Sequence, residues 1–407
     1  MKQIEGGVTA SCGFEAAGVY AGIKYKGRND MVLVYSEKPC VAAGVFTSNV
    51  VKAAPVLWDR QQTDNSDYLQ AIIINAGIAN ACTGKEGFEY CRQTSIAAAK
   101  EFGISEESVA VASTGVIGMQ LPIDKIVKGV SLLKEAKGFD LEHGHIAARS
   151  IMTTDTKPKE IAFEFELSGK VCHIGGMCKG SGMIHPNMCT MLCFITTDVA
   201  ISKSLLSEAL RNDVEETFNM ISVDGDTSTN DSVILLANGE AGNRKIEDKG
   251  DDYSTFCEAL HCVMEGLSKM IAGDGEGCTC LFECKVMNAD TKQNARTLAK
   301  SVITSSLTKA AIFGHDANWG RILCALGYSG VNFNPERVDI WFESKAGKLQ
   351  IVKDGVSTGY SEEKATEILS QEYVSAICDM HNGTENATAW GCDLTYEYVK
   401  INGDYRS

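Results

Sequence analysis

The chain has 407 residues, more than one ordinary core holds, because single cores stop growing at about 250 to 300 residues; two domains or lobes are expected. Its 44% hydrophobic and 22% charged residues and mean hydropathy of -0.07 argue against both disorder and membrane insertion. The 53 acidic against 38 basic residues leave a net charge of -15, and no Lys/Arg-rich run offsets it, so nucleic acid is not an expected partner. The N-terminal MKQIEGGVTASCGFEAAGVYAG lacks a continuous apolar segment, and nowhere do about 18 apolar residues run together. Neither secretion nor a membrane span is expected, and the expected compartment is the cytoplasm.

In chain order, MVLVYS (31–36) and AIIINAG (71–77) read as strands, and TSIAAAKEFG (94–103) as a helix. LPIDKIVKGVSLLKEAKG (121–138) follows as a second helix, with Pro122 near its start. EHGHIAA, with His143 and His145, reads as a polar loop rather than a ligand pair, and no H-E-x-x-H occurs. EIAFEFEL (160–167) and SVILLANG (232–239) are strands on either side of the helical SLLSEALRNDVEETFNMI (204–221). Further helices are predicted at STFCEALHCVMEGLSKMIAG (254–273), ARTLAKSVITSSL (295–307) and SEEKATEILSQEYVSAI (361–377), the last capped by Ser361 with Glu362 and Glu363 in its first turn. RVDIWFES (337–344) and LTYEYVKI (394–401) complete the strands of a mixed α/β or α+β protein. There is no repeat and no low-complexity linker, and only six prolines, two of which (Pro158 and Pro186) fall within the motifs discussed below.

The sixteen cysteines are spread from Cys12 to Cys392 and lack the density of a secreted scaffold, so most are expected to be small buried hydrophobes. Cys278, Cys280 and Cys284 have a spacing that could feed a metal, but the alternation in GCTCLFECKV also places them on one strand face. No metal is expected.

The stretch KGSGMIHPNMCTMLCFITTD (179–198) runs from Lys179 through a Gly-Ser-Gly turn and a Pro-Asn loop to Thr190 at the edge of an apolar strand. A threonine there is usually structural. It has a second use: once the peptide bond before it is broken, its α-amine is the base for its own hydroxyl. A free α-amine has a pKa of about 7.7 to 8.0, so it serves near neutral pH without a histidine.

This stretch, with ASTGVIG (112–118), TTDTKPK (153–159), GDGEG (273–277), GHDANWGRILCALGYSG (314–330) and the terminal KINGDYRS, resembles the ornithine acetyltransferase (ArgJ-type) family, the glutamate N-acetyltransferases of arginine biosynthesis. The likeness spans essentially the whole chain. It implies a DmpA/ArgJ-like αββα sandwich with a second, smaller lobe. It also implies self-cleavage between Cys189 and Thr190 into fragments 1–189 and 190–407, assembled as an α2β2 heterotetramer. Thr190 would take the acetyl group from N-acetylornithine as an ester and pass it to glutamate, with no cofactor; whether acetyl-CoA is a second donor stays open.

Through the same resemblance, Thr114 and Gly115 match an oxyanion hole, where donors are worth roughly 3 to 4 kcal/mol each. Lys179, Thr153, Thr154, Glu276, Asn402 and Ser407 match substrate-binding positions, Glu276 being suited to the amino groups of ornithine. Taken without the likeness, ASTGVIG and GDGEG are ordinary turns, Lys179 is a solvated lysine, and the C-terminus is frayed. Three departures stand out: Cys189 replaces the usual Ala before the nucleophile, His185 a small residue, and Ile78 a polar one. Two other readings remain: a self-processed N-terminal-nucleophile amidase or aminopeptidase in which water replaces glutamate, and a non-catalytic amino-acid-binding protein.

Overall fold

The computed structural model describes residues 1–185 and 191–404. Its strands are β1 (Lys2–Ile4), β2 (Phe14–Val19), β3 (Met31–Phe46), β4 (Leu69–Ile78), β5 (Val109–Val116), β6 (Lys159–Leu167), β7 (Lys170–Lys179), β8 (Leu192–Thr197), β9 (Ile221–Ser222), β10 (Ser232–Ala237), β11 (Leu281–Ala289), β12 (Asp339–Ser344), β13 (Gly347–Lys353), β14 (Val356–Ser357), β15 (Tyr373–Asp379) and β16 (Glu385–Cys392). The helices are α1 (Ala54–Asn65), α2 (Gly84–Phe102), α3 (Ile123–Ala136), α4 (Leu141–Ser150), α5 (Lys203–Val214), α6 (Asp251–Ala272), α7 (Lys292–Thr304), α8 (Ser306–Phe313), α9 (Trp319–Gly327), α10 (Glu362–Leu369) and α11 (Tyr396–Gly403). Among the described residues no helix is long and apolar enough to cross a membrane.

The chain forms two compact units, the first comprising residues 1–180, 191–218 and 227–267. Its nine-stranded sheet runs β1-β6-β7-β8-β10-β3-β4-β5, with β2 added beside β3. The long β3 belongs to two layers at once: Met31 to Tyr35 pair with β2 and β4, whereas Val41 to Phe46 pair with β10. Between the layers lies a core of Val32, Val34, Ile72, Ile74, Phe194, Ile234 and Leu236. Alternate residues of the same strands (Leu33, Ile73, Val111) face α1, α2 and α3. Covered on both sides, β4 is buried at all ten positions, which is why LQAIIINAGI reads as a near-continuous apolar run interrupted only by Gln70 and Asn75. On the opposite outer face α6 approaches closely because Gly176 and Gly266 carry no side chain; a Cβ at Gly266 would lie 2.7 Å from Ile161. With α5 against β3, this makes an αββα sandwich.

The second unit (181–185, 219–226 and 268–404) is built on a seven-stranded sheet, β14-β13-β12-β15-β11-β16-β9, with α7 packed on β11 and β16. Glu283 of β11 accepts hydrogen bonds from the Tyr373 hydroxyl (2.7 Å), Ser375 Oγ (2.7 Å) and Trp390 Nε1 (2.8 Å), tying both neighbouring strands to the centre.

Several sequence expectations need correction. From Tyr396 onward LTYEYVKI is helix α11, not a strand; the helix has no buried residue, so its aromatic and β-branched composition never meets a sheet. The helix expected over 361–377 ends at Leu369, and Tyr373, Val374 and Ile377 belong to β15, pairing with β11 and β12. The helix over 204–221 stops at Val214, and that over 295–307 breaks at Ser305, whose side chain caps α8 by accepting from the Thr308 N–H. The helix at 94–103 begins earlier, at Gly84. His143 and His145 lie on α4, begun by an Asp140 cap, rather than in a loop. Cys278 and Cys280 precede β11, so the three cysteines share no strand face.

Candidate active site

In the first unit the site grows from the ends of β4 and β5. These strands are parallel, and their register sets Gly77 opposite Gly115, both at positive φ (+111° and +131°). A Cβ on Gly115 would stand 2.1 Å from the Gly77 carbonyl carbon and 2.3 Å from its oxygen, so only glycine fits. Replacement of Gly115 by Ala is expected to cost about 3 kcal/mol or more through backbone clash and strain, read as a lower urea midpoint at unchanged m. Asn230 holds these strand ends, donating from Nδ2 to the carbonyls of Ala79 (2.6 Å) and Ser113 (2.8 Å). Asp59 and Trp58 of α1 fix β5 from the other side, through Val111 N to Asp59 Oδ1 (2.7 Å) and Trp58 Nε1 to the Val109 carbonyl (3.1 Å).

Thr114, buried beside Gly115, accepts a hydrogen bond from Lys179 Nζ at 3.4 Å. Lys179, at the end of β7, is itself buried. Asp155 organises its surroundings, accepting from Lys159 Nζ (2.7 Å), the Gly180 N–H (2.7 Å) and the Thr153 N–H (3.0 Å), with Lys179 Nζ at 4.0 Å. Burial by itself would raise the pKa of Asp155, but the Lys179 and Lys159 cations outweigh it and hold the carboxyl below its ordinary range. Thr153 and Thr154 are half-buried on this turn. Asp231 stands at the start of β10; burial pushes its carboxyl well up against the pull of the Ser228 hydroxyl and the Lys179 charge, and its Oδ2 has no hydrogen-bond partner.

In the second unit two glycine-rich turns, read separately in the sequence, meet. The Glu276 N–H donates to the Ser181 carbonyl (2.9 Å), and Ser181 Oγ donates to the Asp274 carbonyl (2.7 Å). Gly182 is required by this contact, since a Cβ there would lie 2.4 Å from the Glu276 carboxyl carbon. Asn402 Nδ2, one face of α11, donates to Glu276 Oε2 at 2.8 Å. Asp224 receives the N–H groups of Met183 (2.6 Å) and Ile184 (2.9 Å). His185 Nδ1 lies 3.1 Å from Ser222 Oγ, and burial, helped by Lys300, pushes its pKa down to about 4, so it is neutral at cellular pH.

The structure therefore brings together Thr114, Gly115, Lys179 and the Thr153 turn in one unit, and Glu276 with Asn402 in the other. Cys189, Thr190 and Ser407 lie outside the described residues. Sequence reasoning missed Asp231, Lys159, Asn230, Gly77 and Gly182; the glycines that precede or follow a motif residue were the available signal, while Asp231 offers none.

The sequence profile of the ArgJ family matches residues 15–407. The chain belongs to the ArgJ family. It is 51% identical over 397 residues to the arginine biosynthesis bifunctional protein ArgJ 1 of Clostridium acetobutylicum, covering 97% of this chain and 96% of that one. To the ArgJ bifunctional protein of Symbiobacterium thermophilum it is 50% identical over 409 residues, covering both chains entirely. A crystal structure of ArgJ from Bacillus halodurans, 46% identical, superposes with a TM-score of 0.51 over 53% of this chain and 99% of that one.

Proposed function

We infer that this chain is a bifunctional acetyltransferase of arginine biosynthesis, which moves the acetyl group of N-acetylornithine to glutamate and also acetylates glutamate from acetyl-CoA. The observation that carries the reading is the identity of about half of all residues, over the full length, with the bifunctional ArgJ proteins.

The chemistry begins with the chain itself. The Thr190 hydroxyl adds to the carbonyl of Cys189, the peptide bond rearranges to an ester, and water releases fragments 1–189 and 190–407, which assemble as α2β2. The freed α-amine then takes the proton of the Thr190 hydroxyl as it attacks the acetyl carbonyl. The Thr114 hydroxyl and Gly115 N–H receive the developing oxyanion, and Lys179, 3.4 Å from Thr114 Oγ1, adds positive potential there. Ornithine leaves with the proton, and the glutamate amine attacks the acetyl-threonine in a ping-pong transfer.

Glu276 and Asn402 bind the amino substrate, with Thr153, Thr154 and Ser407 as further contacts. Loss of a charge-assisted hydrogen bond costs about 1.5 to 3 kcal/mol, so Glu276→Gln is expected to raise the KM for N-acetylornithine roughly 10- to 100-fold. An unchanged KM would remove Glu276 from the amine site.

Transfer and hydrolysis share every group named, so product analysis tests the reading. N-acetylornithine with glutamate should yield ornithine and N-acetylglutamate in equal amounts, and little ornithine without glutamate. Equal ornithine release with and without glutamate would make the protein an amidase.

A further inference from the structure

We propose that Cys278 and Cys392 are a redox-active thiol pair that closes to a disulfide under a hydroperoxide, a modification site built into the loop that carries Glu276. The functional consequence, though not the bond itself, rests on the reading of Glu276 as the amine-binding group.

The pair has a setting that the other cysteines lack. Cys392 ends β16 and is buried, and Lys309 of α8, also buried, places its Nζ 3.6 Å from the Cys392 sulfur while donating to the Val223 carbonyl at 2.7 Å. Cys278 is partly exposed and its sulfur lies 3.4 Å from the Gly273 carbonyl; its interaction with the Cys392 sulfur, together with burial, pushes its own thiol well up, so the shared proton rests on Cys278. The intervening loop rests directly on the thiol, since a Cβ on Gly275 would stand 2.8 Å from Cys392 Sγ. The Cys278 hydrogen bond, joined by the Lys309 cation, offsets burial and holds Cys392 below the ordinary thiol value. One cysteine is thus partly exposed and the other is a buried, cation-supported partner. Cys284 and Cys378 also touch, but Cys284 is fully buried between strands and burial and its partner push its thiol well up, leaving no entry for an oxidant.

The pair shares a proton. The Cys392 thiolate takes the Cys278 proton as the Cys278 sulfur attacks the O–O bond of hydrogen peroxide; Cys278 becomes a sulfenic acid and hydroxide is released. The Cys392 thiol then attacks the sulfenic sulfur; the S–S bond forms and water leaves. Two electrons pass from the sulfurs to the peroxide. Closing the bond draws the Cys278 sulfur from the Gly273 carbonyl and pulls on a turn held by Cys278 N–H to the Gly275 carbonyl (2.9 Å), two residues from Glu276.

The test exposes purified full-length protein to hydrogen peroxide, alkylates remaining thiols, and maps peptides by mass spectrometry. The expected result is a cross-linked peptide pair holding Cys278 and Cys392, lighter by two hydrogens and reopened by dithiothreitol. The KM for N-acetylornithine should rise several-fold with the link and return on reduction, and Cys278→Ser should abolish both changes. Lys309→Met should slow closure several-fold, because the Cys392 sulfur then loses the cation that favours its thiolate. Cys278 and Cys392 both still alkylatable after oxidation, or Cys278 joined elsewhere, would overturn the proposal. The mapping needs no activity and no variant, so neither a failed acetyl-transfer assay nor a misfolded mutant affects it. A link without any KM change would overturn only the coupling to Glu276.

Discussion

Replacement of Thr190 by Ala is expected to leave the chain as one uncut polypeptide and to lower acetyl transfer by on the order of 10^4-fold or more, the scale seen when a covalent nucleophile is removed. Denatured intact mass is the direct measurement. Wild-type protein should give two species meeting at Cys189 and Thr190, and the variant a single species of full length. Thr190→Ser separates the two roles of the hydroxyl, because serine can perform both the acyl shift and the attack, and should give cut protein with reduced turnover. The acyl shift uses only the threonine hydroxyl and the carbonyl before it, so Cys189 is expected to permit cleavage. A wild-type chain found intact, yet active, would sink the N-terminal nucleophile. An intact chain that binds ornithine derivatives without turning them over would favour the binding-protein reading.

Much of the αββα unit was legible because burial on both faces leaves a compositional mark. AIIINAG and SVILLANG are mostly apolar runs, and β4 and β10 are buried at every position. The second unit was less so. SEEKATEILSQEYVSAI carries apolar residues at helical spacing through Ile377, and only pairing with β11 and β12 makes its second half a strand. LTYEYVKI failed in the opposite sense: its β-prone residues lie on an exposed helix anchored at its start by Asp393, which receives Thr279 and Cys280, and by Thr395, which bonds the Gly277 carbonyl. Tertiary contacts settle such segments, and local pattern does not contain them. The site divides similarly. Thr114, Gly115, Lys179 and Glu276 were singled out through motif likeness, but what holds them was not. The opposition of Gly115 to Gly77 is a matter of strand register, and the fit of Gly182 over Glu276 depends on two turns far apart in the chain.

Asp155, not singled out from the sequence, supports the candidate site, and its loss is the largest stability effect expected. Its carboxylate lies between two buried lysines and receives two backbone N–H groups, and Lys159 has only 1% of its surface exposed. Removing one partner of a buried ion pair typically costs about 3 to 5 kcal/mol, because the remaining charge is left uncompensated. Asp155→Ala is therefore expected to lower the unfolding free energy of the first unit by about that amount, read from urea titrations. Combining it with Lys159→Met should recover part of the loss, since the stranded cation is then gone. The pH dependence has a fixed sign. The folded pKa is depressed, so the carboxylate's contribution is complete above the unfolded value of about 3.9 and is lost as pH falls below it toward the folded value. Acid should thus destabilise the wild type more steeply than Asp155→Asn below about pH 4, and parallel curves would refute the ionised pair. Activity should follow the same residue, because Lys179 keeps its place beside Thr114 only while Asp155 opposes its charge. A variant at Asp155 is expected to lose kcat in excess of what the folded fraction explains, and Asp155→Glu, which retains the charge, should recover more of it than Asp155→Asn.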